Sequence, residues 1–267
     1  MKARFRIGGY VGTAVAAVML GAMAQPAAAL EISRHAPKDS AEVNAIQLTG
    51  KIEPGDTFNL QVYIASLPKK PNIVVYLHSP GGNLGEGMRL GLFFYRNKIE
   101  TVVESKTSCT SACAIAFLGG RDNADGKARR TKHSTANLGF HSFSREFDRD
   151  RSYTAEDLKM IVRRTQVGVF AVAEYLRSIG TDLDFVRLML RAAANEMNYL
   201  SNDDAITLNI RVWDEKSNRM IEPSLVLDRL DRSVSAAKQA KAATDEPTAR
   251  AAPRPMSKAD ASGKSPG

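Results

Sequence analysis

The sequence predicts an α/β fold with a mainly parallel sheet, and two observations carry this prediction. Ile73–Leu77 is an uninterrupted apolar run rich in β-branched residues, which is typical of a strand covered on both faces. Strand-like runs also alternate with segments of helical length, and this alternation implies right-handed β-α-β crossovers. The chain of 267 residues is 43% hydrophobic, so the ~200 residues between its polar ends can bury the core of one domain.

The elements follow in chain order from apolar spacing and from residues that start or stop helices. The predicted strands are Ala45–Thr49, Ile73–Leu77, Ile99–Val103 and Asn137–His141. The predicted helices are Phe58–Leu67, Leu84–Tyr95, Ala112–Leu118, Thr154–Ile179, Asp184–Ala194 and Ser201–Leu208. Pro68 ends the first helix, because proline cannot continue it. Thr154 and Asp157 form a variant of the capping box that opens the longest helix.

The N-terminus has the pattern of a secretory signal. Three basic residues precede an apolar run, and small residues stand at Ala27 and Ala29. The run is shorter than the ~20 residues of a usual spanning helix. We therefore predict a signal peptide at residues 1–29 with cleavage after Ala29, and a periplasmic or secreted protein. An uncleaved segment that anchors the chain in the membrane is the alternative.

The C-terminus is polar, basic and rich in Ala, Pro and Ser. Residues 226–267 are predicted to be a disordered tail, because so little apolar surface cannot offset the ordering entropy. The folded domain is then 30–225. The net charge is +8, and most of it lies in the two ends. No basic stripe interleaved with aromatic residues remains in the domain, so we expect no nucleic-acid partner.

Three polar positions fall at or just after predicted strands, where open α/β sheets bind ligands. They are the turn Ser79–Gly82, the hydroxyl of Ser111 and the imidazole of His141. Ser111 opens an apolar helix whose free N–H groups could bind an oxyanion. Each position also has a structural explanation: a tight turn, a helix cap, and a histidine bonded to the backbone. If the three strands share one sheet, the positions meet in one crevice.

The residues around these positions resemble the Clp protease proteolytic-subunit/crotonase superfamily. Leu77–Asn83 is similar to its Ser-Pro-Gly-Gly turn, Thr110–Gly120 to its nucleophile helix, and Leu138–Ser142 to the strand with its catalytic histidine. The helix from Thr154 resembles the family's handle helix, and Asn198–Ala205 a further family segment. The resemblance covers roughly residues 45–212 and implies a ClpP/crotonase-like β-α-β spiral with a mainly parallel sheet. The export signal makes the predicted periplasmic members the most similar group.

The resemblance implies a role for each matched residue. Ser111 would be the nucleophile and His141 its base. The N–H groups of the Gly81–Gly82 turn and of Ala112 would form the oxyanion hole. No cofactor is implied, and the sequence shows neither zinc-ligand spacing nor a phosphate-binding loop.

One position departs from the family pattern. Met197 stands where the family has its catalytic aspartate. Glu196 is the tentative third member and Asn195 is a further candidate, although side-chain alternation along an extended segment argues against a simple replacement. Asp182, Asp184 or a pair with no third member are equally open. Lys106 offers a Ser-Lys alternative, which would require a desolvated amine.

Cys109 and Cys113 are the only cysteines and flank Ser111. Their spacing allows a disulfide in an oxidising compartment, but two buried thiols explain them equally well.

The leading hypothesis for function is an exported serine hydrolase, a peptidase that acts on short or unfolded peptides through an acyl-enzyme. The alternative is a catalytically inactive binding or assembly protein of the same fold in the periplasm. The resemblance also implies a homo-oligomer. Coenzyme A chemistry is disfavoured, since that cofactor is cytosolic.

Overall fold

The structure is a computed structural model that describes residues 29–142, 150, 152–192 and 196–223. Apart from Ala29, the predicted signal peptide lies outside these residues, and so does the predicted tail at 226–267. Both therefore remain predictions. Among the described helices, none is long and apolar enough to cross a membrane.

The described residues contain strands and helices in alternation over most of their length. The strands are β1 (Glu31–Arg34), β2 (Val43–Thr49), β3 (Asn72–His78), β4 (Glu100–Val103), β5 (Ser108–Thr110), β6 (Arg130–His133), β7 (Asn137–Phe140), β8 (Asn198–Tyr199), β9 (Arg211–Asp214) and β10 (Arg219–Ile221). The helices are α1 (Asp56–Ser66), α2 (Leu84–Arg96), α3 (Ala112–Phe117), α4 (Ala155–Ser178), α5 (Asp184–Arg191) and α6 (Asn202–Thr207), with a short 3-10 turn at Ala36–Lys38.

The larger sheet has seven strands in the order β1-β2-β3-β4-β6-β9-β10. Its five central strands pair in parallel, and the two edge strands pair antiparallel. The prediction of an α/β fold with a mainly parallel sheet is therefore confirmed. Apolar side chains of β2, β3 and β4, including Ile46, Val75 and Val103, are fully buried in the core.

A second, three-stranded sheet has the order β5-β7-β8, which corrects the expectation that the three site strands share one sheet. Lys106 adopts a positive φ of 58° in the turn after β4, and the chain leaves the larger sheet there. The two sheets nevertheless meet, because Ser79 extends β3 and bridges to Cys109. The amide of Ser79 donates to Ser108, and the amide of Thr110 donates to Ser79, at 2.8 and 3.0 Å. The ends of β3, β5 and β7 therefore still converge.

Helix α3 is held between two longer helices. All six of its residues are buried. Helix α2 approaches it so closely that a Cβ on Gly87 would lie 2.5 Å from the carbonyl oxygen of Ala112. From α4, the buried hydroxyl of Tyr175 donates to the carbonyl of Ile115 at 2.9 Å. These contacts fix the helix whose first turn carries Ser111.

The predicted helix start at Thr154 is confirmed. Its side chain accepts from the Asp157 amide, and the Asp157 carboxylate accepts from the Thr154 amide. Only the C-terminal part of α4, through residues such as Val172 and Leu176, is buried in the core.

Candidate active site

Ser111 occupies a strained turn between strand β5 and helix α3. Its φ and ψ are 57° and −124°, a conformation that L-residues rarely adopt and that costs about 1–3 kcal/mol. The Ser111 amide donates to the carbonyl of Gly139 in β7 at 3.0 Å, and the Ile115 amide donates to the Ser111 carbonyl at 3.2 Å. Strand pairing on one side and the helix on the other thus hold the residue in place.

The Ser111 hydroxyl does not cap the helix that it precedes. Its side chain makes no capping hydrogen bond, whereas the corresponding residues Thr154 and Ser201 of α4 and α6 do. The structural explanation offered by the sequence therefore does not account for this serine.

The glycine turn lies directly against Ser111. Gly81 and Gly82 have φ values of 95° and 144°, which favour glycine. A Cβ on Gly81 would lie 2.7 Å from the Cβ of Ser111 and 2.9 Å from the amide nitrogen of Ala112. A Cβ on Gly82 would lie 2.1 Å from the carbonyl oxygen of Ile52. Only glycine fits at both positions, because the turn is wedged between Ile52 and the serine.

Of the three N–H groups expected to form the oxyanion hole, that of Gly81 is occupied, because it donates to the Ser79 hydroxyl at 3.0 Å. The N–H groups of Gly82 and Ala112 remain free to bind an anion. Ile52 holds the glycine turn with two hydrogen bonds of 2.8 Å, one from its amide to Gly81 and one from the Asn83 amide to its carbonyl. The Gly82 amide lies between these bonds, and no described residue accepts a hydrogen bond from it. The amide of Ala112 begins α3, where N–H groups lack intrahelical acceptors.

His141 follows β7 and lines the same small cavity as Ser111 and Gly82. The volume of this cavity is about 150 Å³, and its other walls are apolar: Leu84, Ile115, Phe140 and Met189. Among the described residues, no hydrogen bond joins the imidazole to the Ser111 hydroxyl. The structure thus brings the predicted hydroxyl, imidazole and glycine turn to one cavity.

The Nδ1 atom of His141 is buried and has no hydrogen-bond partner among the described residues. Strands β7 and β8 pair antiparallel, with Gly139 opposite Tyr199 and Phe140 opposite Asn198. Extending this register by one pair places Met197 opposite His141. The Met197 side chain covers Gly139, where an added Cβ would meet its Sδ at 2.7 Å. In this extended register the residue opposite His141 is therefore a methionine, which carries no strong hydrogen-bond acceptor for Nδ1.

None of the candidate carboxylates hydrogen-bonds the imidazole Nδ1, and Asn195 lies outside the described residues. Glu196 is exposed, and side-chain alternation directs it away from the face that Met197 shares with His141. Asp182 accepts from the Asp184 amide at 2.8 Å, and Asp184 binds Arg187 at 2.8 Å. The tentative assignment of Glu196 thus finds no support in the geometry.

Lys106 does not line the Ser111 cavity and is exposed. It therefore lacks the desolvation that a lysine base needs. His78 accepts from the Ser108 amide through Nδ1 at 3.2 Å, so its hydrogen bond supports the turn.

A disulfide joins Cys109 of β5 to Cys113 of α3, with a Cα–Cα distance of 5.2 Å. Both cysteines are fully buried. The bond spans the Ser111 turn, and the structure thereby settles the two arrangements that the sequence left open in favour of the bridge.

A larger cavity of about 610 Å³ lies along strands β3, β4, β6 and β9. It includes Ser105 and His133, but both bond Thr135 instead of each other, at 3.0 and 2.9 Å. Ser105 also precedes no helix, so no helical N–H groups stand beside its hydroxyl. This cavity therefore lacks the arrangement that Ser111 has.

Several residues of the site carried no signal in the sequence. Ile52, which holds the glycine turn, lies in an irregular segment, and Met189 reaches the cavity from α5. Leu84 and Ile115 could have been suspected, because each follows a motif by a few residues.

The described residues contain no group of three or more His, Cys, Asp and Glu side chains that could hold a metal ion. Comparison with known proteins adds no identification: no family model matches the chain, and no curated protein matches it significantly.

Proposed function

We propose that this chain is a serine hydrolase that cleaves short or unfolded peptides through an acyl-enzyme at Ser111. The observation that carries the proposal is the convergence of Ser111, His141 and the Gly82 turn on one cavity. A hydroxyl that does not serve as a helix cap, an imidazole and free N–H groups are the parts that acyl transfer requires.

The reaction follows from the arrangement. Ser111 Oγ attacks the substrate carbonyl while His141 takes the hydroxyl proton through Nε2. The N–H groups of Gly82 and Ala112 donate to the oxyanion. His141 then gives its proton to the leaving amine, and the acyl-enzyme remains. Water, activated in turn by His141, attacks the ester and releases the acid and the free serine.

The Nδ1 atom of His141 has no hydrogen-bond acceptor among the described residues, and this lowers the expected rate of the reaction. For Nε2 to accept a proton, Nδ1 must carry one, and a buried N–H without an acceptor costs about 1–3 kcal/mol. The imidazolium that forms during attack also lacks a neighbouring carboxylate. We therefore propose a two-residue site with modest turnover.

The proposed family is the Clp protease proteolytic-subunit/crotonase superfamily, with its β-α-β spiral. The order of the glycine turn, serine helix and histidine strand along the chain supports it, together with the long helix α4. Export through residues 1–29 is part of the same proposal. Because ATP-driven unfolding is not expected outside the cytoplasm, the substrates would be short or already unfolded peptides. Members of the superfamily commonly self-associate, and the proposal includes the same for this chain.

A catalytically inactive binding protein is the second candidate. The orphaned Nδ1 and the thioether of Met197 favour it. Fluorogenic unstructured peptides distinguish the two functions when wild type is compared with Ser111→Ala. Hydrolysis by wild type alone supports the hydrolase. Equal binding of the peptides by both proteins, without hydrolysis by either, supports the binding protein.

A further inference from the structure

We propose that the Cys109–Cys113 disulfide is the positioning element that keeps Ser111 in its reactive conformation. This inference rests on the proposed hydrolase function and adds the requirement that the site works only with the bond intact. Cys109 and Cys113 touch no substrate in this proposal and act through the serine between them.

The chain reverses direction at the serine. Cys109 lies in strand β5 and Cys113 in the first turn of α3, yet their Cα atoms are only 5.2 Å apart. Four residues of extended strand would span about 13 Å. The reversal takes place at Ser111, the one residue between Cys109 and Cys113 with a positive φ. The disulfide therefore closes the chain across the residue that makes the turn.

Without the disulfide, Ser111 has two less strained conformations available. A strand-like φ would lengthen β5, and a helical φ would lengthen α3 by one residue. Either rotation moves the hydroxyl relative to the Gly82 amide and His141, which belong to other elements. The strand-like rotation moves residue 113 away from residue 109, so the disulfide opposes it directly. A helical turn would leave the two Cα atoms about 6 Å apart, which a disulfide can span, and the hydrogen bond from the Ser111 amide to Gly139 opposes that rotation.

The other contacts of the turn hold it less directly. One hydrogen bond joins the Ser111 amide to Gly139, and one joins the Ile115 amide to the Ser111 carbonyl. The Gly81 turn packs on the Ser111 Cβ and on the Ala112 amide, but it belongs to a separate segment of the chain. The covalent bond is the contact that connects the two arms of the turn.

Burial makes the disulfide a permanent feature instead of a switch. Both cysteines have an exposed fraction of zero, so a reductant reaches the sulfur atoms only after local opening. Reduction by dithiothreitol would transfer two electrons and two protons to the protein, and the reagent would become its cyclic disulfide. We expect the folded protein to resist this reaction and to stay active in millimolar reductant.

The test compares wild type with the double variant Cys109→Ser/Cys113→Ser. If the double variant releases the strain of the turn, about 1–3 kcal/mol, kcat and the fluorophosphonate labelling rate should fall roughly 5- to 150-fold, with KM nearly unchanged. Leu60→Ala is the matched control, because it destabilises the core from α1, where Leu60 is fully buried, without touching the site. It should lower the melting temperature as much as the double variant and leave kcat close to that of wild type.

Hydrogen exchange separates this inference from the proposed function. In the double variant, amides 110–113 should exchange faster, while those of β2 stay protected. If wild type never labels but this exchange difference appears, the hydrolase proposal fails and the positioning role stands. If exchange at 110–113 is unchanged, or if the double variant keeps the kcat of wild type, the positioning role is wrong.

Discussion

Replacing Met197 with aspartate is expected to accelerate the reaction of Ser111, because the new carboxylate would lie opposite His141. The β7–β8 register places residue 197 across from residue 141, and such cross-strand neighbours have Cβ atoms about 4.5–5.5 Å apart. An aspartate there can accept the proton of Nδ1, which has no partner among the described residues. It would favour the tautomer that leaves Nε2 ready to accept, and it would stabilise the imidazolium.

The expected gain in rate for Met197→Asp follows from the free-energy cost of the unpaired Nδ1–H of His141. A buried N–H without an acceptor costs about 1–3 kcal/mol, which corresponds to roughly 5- to 150-fold in rate. The loss of about 10⁴ on neutralising the aspartate of an evolved triad sets the upper limit. Because Met197 packs over Gly139, the variant should also lose about 1–2 kcal/mol of stability.

The assay is the second-order rate of fluorophosphonate labelling, measured by intact mass for wild type, Met197→Asp, Met197→Leu and Met197→Asn. Leucine keeps an apolar side chain and should label at the wild-type rate. Asparagine offers a neutral acceptor and should give a smaller gain than aspartate. If Met197→Asp is folded and labels no faster than Met197→Leu, the orphaned Nδ1 does not limit the reaction and the reasoning is wrong.

Three further variants test the turn, the buried charge and an ion pair. Gly82→Ala should reduce labelling of Ser111 at least tenfold, since its Cβ would meet the carbonyl oxygen of Ile52 at 2.1 Å and displace the Gly82 amide. Arg130→Met should raise the unfolding free energy in urea by about 1–4 kcal/mol. The Arg130 guanidinium is buried, and this burial lowers its pKa. Its Nε has no partner among the described residues. Asp39→Asn should lower the urea midpoint at pH 7, and this deficit should shrink at pH ~3. The hydrogen bond from Lys70 lowers the pKa of Asp39 from 3.8, so this carboxylate stabilises the fold fully above the unfolded pKa and loses that contribution as the pH falls through the lowered pKa.

Matched controls accompany these variants. Gly126 also has a positive φ, 69°, but its surroundings are open, so Gly126→Ala should leave labelling unchanged. Equal loss in both glycine variants would mean that backbone strain alone explains the effect. If Arg130→Met does not become more stable, the buried guanidinium does not destabilise the fold and this prediction is wrong. A deficit of Asp39→Asn that is the same at pH 7 and ~3 would contradict the assigned ion pair.

Sequence patterns predict the long helices and strands of this chain, because apolar residues recur along one face of such an element at its characteristic period. Strand β3, helix α2 and helix α4 lie within two residues of their predicted bounds. Strand β6 was missed, because its sequence Arg-Thr-Lys-His is polar. Yet Arg130 and Lys132 are buried there, where Lys132 donates to Asn202 at 2.6 Å. Burial of paired or bonded charges depends on partners distant in sequence, which local patterns do not contain.

Sequence motifs predict the polar residues of the candidate site, but they do not predict the backbone features that hold these residues in place. Ser111, His141 and the glycine turn were found from residue type at strand ends. The chain leaves the larger sheet at a turn in which Lys106 has a positive φ, and no sequence pattern indicates the division into two sheets. The spacing of Cys109 and Cys113 allowed either a bridge or two free thiols, and the choice between them depends on how the chain turns at Ser111, which no local pattern indicates.

The central claim is that Ser111 is a nucleophile activated by His141. Its most direct test is peptide mapping of the folded, oxidised protein after reaction with a fluorophosphonate. The account predicts a single adduct on Ser111, which is absent in Ser111→Ala and forms far more slowly in His141→Ala. No adduct on the folded protein, or an adduct that persists in Ser111→Ala, would contradict it.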